Sequence, residues 1–256
     1  MPGTLERPTR EQLVRDQYAD ARFVAGYADA YAGWGPTARY HHSRFHAVDQ
    51  VLRGCPGGAL LDAGCGPGMM ARHLLDDRPG DFAVTGCDRS AAMVDAARNR
   101  VGKAARISVG DIEEMPFADG AFDVALAMGV LEYVEAGPAL REIARVLRPG
   151  GLAVVTMLNP RSPYRLVEWG LRGPGRHTGI EALTQRRLRH ELWRAGLQPV
   201  DTLYYDVTVL VPPLDRLVRR WHRRWRAHPE TTVGRGLAGR LGTGYLIAAR
   251  RVAGAV

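Results

Sequence analysis

Short apolar runs alternate along this chain with longer segments whose apolar residues recur at three- and four-residue spacing. The first run, Ala59–Ala63 (ALLDA), ends in glycines and gives way to a helical pattern over Met69–Leu75. The alternation repeats through FAVTGCD (Phe82–Asp88) and a helix over Ala91–Val101, then ARISVGD (Ala105–Asp111), then FDVALAM (Phe122–Met128) and a helix over Gly137–Leu147. After the turn Arg148-Pro149-Gly150-Gly151 comes the run GLAVVTML. Strands alternating with helices predict an α/β fold: a Rossmann-like, doubly wound, mostly parallel sheet with helices on both faces and ligands at the carboxyl ends of its strands.

Past Asn159 the period loosens in NPRSPYRLVEWGLRGPGRHTG, which reads as a surface segment or lid and not as a core element. A helix resumes near Thr184 and runs to about Ala195, stopping at Gly196. Strand patterns follow over Asp201–Val207 (DTLYYDV) and Gly244–Val252 (GYLIAARRV), the last expected to be antiparallel. Between them lies an insertion at about 209–243, where a structureless loop would be unusual. The first 50 residues, with Tyr18, Phe23, Tyr27, Tyr31, Trp34 and Tyr40, read as a helical cap before a catalytic domain over 51–256.

The segment Leu60-Leu61-Asp62-Ala63-Gly64-Cys65-Gly66-Pro67-Gly68 stands where the first strand turns into the first helix of the sheet. Glycine lets the backbone turn sharply there and lets a ligand approach where a side chain would collide. The spacing is G-x-G-x-G; the dinucleotide fingerprint would need glycine at the position Met69 holds, which disfavours a nicotinamide oxidoreductase.

With this loop, the acid in TGCDRSAAMVDAAR, and GDIEEMPF, FDVALAMGVLEYV and RVLRPGG in order, the chain resembles the class I S-adenosylmethionine (SAM) dependent methyltransferases over roughly Leu60–Leu158. Within them it is similar to the small-molecule group that includes quinone-biosynthesis enzymes. The resemblance implies a ribose-binding carboxylate at Asp88, with Arg89 and Met93 near the adenosine, although Met93 at helical spacing reads equally as core. It implies adenine contacts from Asp111 and Ile112, a methionine-end contact from Asp62, a backbone cradle at Gly64, Cys65, Gly66 and Gly68, and Met128 and Gly129 beside the methyl group. A turn cap is the competing reading of Asp111. Tyr27, Tyr31 or Trp34 would close the pocket, or simply pack.

Many relatives read L-E-H-V after the fourth strand, with a histidine near the acceptor, whereas this chain reads Leu131-Glu132-Tyr133-Val134. The base is therefore unassigned. Tyr133, His41, His42 and His177 are the candidates, with His46 beside them, and no histidine pair has metal-ligand spacing, so no catalytic metal is expected. Cys55, Cys65 and Cys87 lack such spacing too and read as reduced and structural.

The formal charge of +8 is carried almost wholly by arginine, Lys103 being the only lysine, which biased codon usage explains about as well as function does. Leu214, Leu217, Val218, Trp221 and Trp225 recur at helical spacing among six arginines over 214–226, a basic amphipathic pattern. A lid or homodimer interface is the first use for it, an anionic membrane surface serving a lipid-like acceptor the second, and nucleic acid the last. Methyltransferases of exocyclic base amines usually carry Asp, Asn or Ser before Pro-Pro and an aromatic after the fourth strand; here Ala127-Met128-Gly129-Val130 stands there. Neither a secretory signal nor an anchor is visible, and a cytoplasmic protein is expected. These readings converge on methyl transfer to a small-molecule acceptor, at O or N ahead of C, natural-product or isoprenoid-like. The alternatives are a SAM-binding scaffold or rearrangement catalyst, and an RNA methyltransferase.

Overall fold

The computed structural model describes residues 16–33, 35–172, 181–208 and 228–253. Trp34, His177 and the basic pattern over 214–226 lie outside them. Two helices, α1 (Ala21–Ala32) and α2 (Pro36–Leu52), precede β1 (Gly58–Ala63), α3 (Met69–Asp77), β2 (Phe82–Asp88), α4 (Ala91–Val101), β3 (Arg106–Val109) and β4 (Phe122–Met128). Then come α5 (Ala136–Val146), β5 (Leu147–Leu158), α6 (Pro163–Arg172), α7 (Gln185–Arg194), β6 (Leu197–Val207) and β7 (Gly242–Arg251). The seven strands form one sheet in the order β3-β2-β1-β4-β5-β7-β6, parallel except for β7, which runs antiparallel between β5 and β6.

Alternate strand residues feed two cores, as the two-residue repeat of a strand dictates. Leu61, Ala125, Val155 and Ile247 face α5 and α7, where Leu140, Ile143, Leu188 and Leu192 meet them. Leu60, Val124, Val154 and Leu246 face the other way, against Val48 and Leu52 of α2, Leu74 of α3 and Val94 of α4. No helix among the described residues is long and apolar enough to cross a membrane.

Two expectations need correction. Pro163–Arg172 is a helix whose inner side is buried: Tyr164 and Glu168 are within 7% exposure, with Ser162 just ahead at 0%, while Leu166 and Leu171 stand 57% and 64% exposed. A proline in the first turn starts a helix without losing a hydrogen bond, and polar residues on the inward face hid the period. Strand β6 begins at Leu197, four residues before the expected start, because Pro199 and the irregular register between Pro199 and Asp201 interrupt the alternation.

Helix α2 carries charge into the interior. Arg39 reaches Asp206 of β6 through Nε, and its second nitrogen lies 3.3 Å from Oδ2. The Thr243 hydroxyl also donates to this carboxylate, and the Ser43 and Thr232 hydroxyls meet at 2.6 Å. Asp206 is the one non-glycine described residue with positive φ, +55°. His73 of α3 ties to α2 as well, its Nε2 2.7 Å from Asp49 and its Nδ1 3.4 Å from Asp77.

Candidate functional site

The strand order turns back between β1 and β4, and at such a switch point the loops leaving the strands diverge and open a crevice. Here the crevice is a cavity of about 660 Å³. Gly64 and Gly66 enter it from the turn after β1, Asp88, Arg89 and Met93 from the junction of β2 with α4, Asp111 and Ile112 from the turn after β3, and Met128, Gly129 and Tyr133 from the end of β4. Tyr27 of α1 closes one side. A smaller adjoining chamber is lined by Asp62, Cys65, Tyr31, Arg44 and Met70, with Tyr27, Gly64, Gly66 and Met128 shared between the two. Gly68 lines neither: it caps α3, and a side chain there would meet Ala97 of α4 at 3.0 Å.

Asp88 is held by the loop it serves. Its Oδ2 accepts from the Gly66 amide at 2.9 Å and its Oδ1 from the Ser90 amide at 2.9 Å, leaving each oxygen a second lone pair. Burial raises its pKa, and the two amide hydrogen bonds work against that rise. Gly66 itself has φ +52°, and a Cβ there would meet nothing within 4 Å, so the backbone faces open space above the turn. Asp111 accepts from the Glu113 amide at 3.0 Å, so it caps its turn and lines the cavity at once.

Asp62 is 2% exposed, and its Oδ2 has no hydrogen-bond partner among the described residues. Burial pushes its pKa up to about 7, with Arg44 lowering it and Asp88 raising it. At the other wall, burial pushes the Tyr133 phenol up to about 12, and its ring meets that of Tyr18 edge-on at 5.7 Å. Neither His41 nor His42 lines the cavity. His41 is buried, stacked on Tyr31 at 3.8 Å, and burial followed by the charge of Arg44 holds its pKa well below the usual histidine value. His46 also lines neither space.

Several lining residues were not singled out from the sequence. Tyr18, Val130 and Val134 face the main cavity and Arg44 the small chamber. Ser90 caps α4 by accepting from the Met93 amide at 3.2 Å and donates to the Tyr18 carbonyl at 2.6 Å. One hydroxyl thus starts a helix and pins the N-terminal segment over the cavity. Ser90→Ala should cost about 1 kcal/mol in denaturant unfolding, the usual worth of an N-cap; an unchanged midpoint and slope would refute this double role.

A family model described as a methyltransferase domain matches residues 61–155. The chain is similar to the ubiquinone/menaquinone biosynthesis C-methyltransferase UbiE of Geobacter sulfurreducens, 32% identical over 62% of this chain and 64% of the relative. It is also similar to the malonyl-[acyl-carrier protein] O-methyltransferase of Serratia marcescens, 37% identical over 62% of this chain and 63% of that one. The chain thus spans less than two thirds of the length of each. Among solved structures, the [4+2]-cyclase SpnF superposes with a TM-score of 0.65 at 23% identity, over 98% of this chain and 100% of that one, a likeness of fold. Over residues 61–155 the chain thus matches the methyltransferase domain family, and its likenesses are to methyltransferases of the class whose cofactor is S-adenosylmethionine. The residues present fit that cofactor: a buried carboxylate oxygen without a partner, an acid at the end of β2, and an open glycine backbone between them.

Proposed function

We propose that this protein transfers the methyl group of SAM to a small-molecule acceptor, at oxygen or nitrogen ahead of carbon, with a natural-product or isoprenoid-like acceptor as the class to try first. What supports this most is the convergence of three acids at or just past three strand ends, Asp62, Asp88 and Asp111, on the cavity and its adjoining chamber, with glycine backbone lining both. Asp88 would accept from the ribose hydroxyls, Asp111 and the Ile112 amide would serve the adenine, and Asp62 the ammonium of the methionine end. Arg89 and Met93 would flank the adenosine, Met128 and Gly129 the methyl-bearing end, and Tyr27 would close the pocket, with residues 1–50 acting as its cap.

When bound, the cofactor supplies an electrophilic sulfonium methyl, so the protein has only to align the acceptor and exclude water. Tyr133, with its phenol pushed up to about 12, keeps its proton at neutral pH and can donate but not abstract. No histidine lines the cavity among the described residues. An acceptor that is already nucleophilic, such as a carboxylate, an amine or an acidic phenol, suits such a wall better than a carbon acid needing a strong base.

Calorimetric titration with SAM, S-adenosylhomocysteine and NADH tests the cofactor, and the mass of the product after incubation with acceptor pools tests the transfer. Micromolar binding of the first two is expected, and NADH binding alone would overturn the reading. The state of Asp62 adds a pH signature. A ligand ammonium selects the ionised acid, and with a free-protein pKa of about 7 the affinity for S-adenosylhomocysteine should be about tenfold weaker at pH 6 than at pH 8. Asp62→Asn should flatten the profile, and an equally steep one in that variant would remove Asp62 from the ammonium site.

A further inference from the structure

We infer that Arg44 is the receptor for the carboxylate of the cofactor's amino-acid end, so that the small chamber recognises an α-amino acid zwitterion between Arg44 and Asp62. This rests on the cofactor reading above and extends it to a residue outside the strand-end motifs.

Arg44 is 4% exposed, and a guanidinium taken out of water is expensive unless an anion meets it. Arg39, equally buried, obeys that rule with Asp206, and the partly buried Arg165 does so with Glu168. Arg44 makes no ion pair among the described residues: one nitrogen donates to the Tyr31 hydroxyl at 2.9 Å and lies 3.2 Å from Nδ1 of His41, Nε finds no partner among them, and the acids Asp62 and Glu132 feel its charge without bonding to it. Burial keeps Tyr31 protonated and His41 uncharged, so neither supplies the missing negative charge.

Geometry places that charge. The remaining nitrogen of Arg44 stands 2.7 Å from where a Cβ on Gly129 would lie, at the exit of β4, where glycine (φ +68°) alone leaves room for it. The same chamber holds Asp62, whose Oδ2 has no hydrogen-bond partner among the described residues, and no hydrogen bond described joins the two side chains. A cation from α2 and an acid from β1 thus face one small space, each with a polar atom unsatisfied. A ligand carrying a carboxylate and an ammonium on one carbon completes both, and a forked guanidinium is the donor geometry that suits a carboxylate.

The test compares three ligands by calorimetry: S-adenosylhomocysteine, its decarboxylated analogue S-adenosyl-3-thiopropylamine, and 5′-methylthioadenosine, which lacks the amino-acid end altogether. With the wild-type protein, loss of the carboxylate should weaken binding roughly 10- to 100-fold, the range for hydrogen bonds to charged groups. Arg44→Met should lose the same factor toward S-adenosylhomocysteine and nothing toward the other two. Arg44→Lys should recover part of it. A wild-type difference under about threefold would overturn the inference whatever the variants do, and so would an Arg44→Met variant that weakens all three ligands alike, the mark of a packing role. If Arg44→Met does not melt cooperatively, the wild-type ligand pair and Arg44→Lys decide. Binding of all three ligands without discrimination would sink the carboxylate assignment alone, whereas binding of none would sink the cofactor reading with it.

Discussion

Asp88→Ala should cost the protein about 1.5 to 3 kcal/mol of affinity for S-adenosylhomocysteine, a factor of roughly 10 to 100, the worth of hydrogen bonds to a charged acceptor. The loss has two sources. The carboxylate would no longer accept from the ribose hydroxyls, and the Gly66 and Ser90 amides would lose the group that fixes the turn after β1 against the start of α4. Asp88→Asn separates them. Its side-chain oxygen can still accept from one amide while the charge is gone, so it should keep most of the thermal stability and lose most of the binding. Calorimetry and thermal melting on the two variants read both quantities, and wild-type affinity in Asp88→Ala would remove this residue from the cofactor site.

The second large effect is expected far from the cavity. Asp206→Ala removes the carboxylate from the buried Arg39 and the acceptor from Thr243, and breaking a buried pair on one side typically costs about 3 to 5 kcal/mol. Relief of the positive φ at residue 206 offsets little, because alanine tolerates that conformation no better than aspartate. Urea unfolding should show the midpoint falling with the slope unchanged. Asp206→Gly should be milder than Asp206→Ala by roughly 1 kcal/mol, since glycine removes the backbone strain while losing the same ion pair. Equal stability of the two would mean that the backbone at 206 carries no strain.

The placement of the strands was legible because it is local. Phe82–Asp88, Ala91–Val101 and Phe122–Met128 have the same bounds in the sequence pattern as in the fold, and the acids at 62, 88 and 111, singled out by the family resemblance, line the cavity and its adjoining chamber. What was not legible comes from elements whose placement depends on the tertiary fold. Helix α2 turns Arg39, Ser43 and Arg44 inward beside Val48 and Leu52, where an apolar-face rule would send charge to solvent. The only local hint is that these polar residues share the helical phase of the apolar ones, and it means something only once Asp206 and the small chamber are known. Tyr18 and Ser90 meet 72 residues apart in sequence through a single hydroxyl, a contact no pattern within either segment announces. The proline-led helix α6 and the interrupted start of β6 were missed for the opposite reason, since there the local signal pointed away from regular structure.

The position of β7 sets the order in which the molecule can be completed. Strand β6 pairs with β7 and not with β5, so it has no place in the sheet until the chain has run on to Gly242–Arg251. During synthesis the edge of β5 stays open, β6 waits without a ladder, and Arg39 waits for Asp206, until that last strand emerges and threads between them. A ribosome that stops short of it releases a chain lacking two strands' worth of pairing and one buried ion pair, with an unpaired edge of the kind that aggregates and that quality control removes.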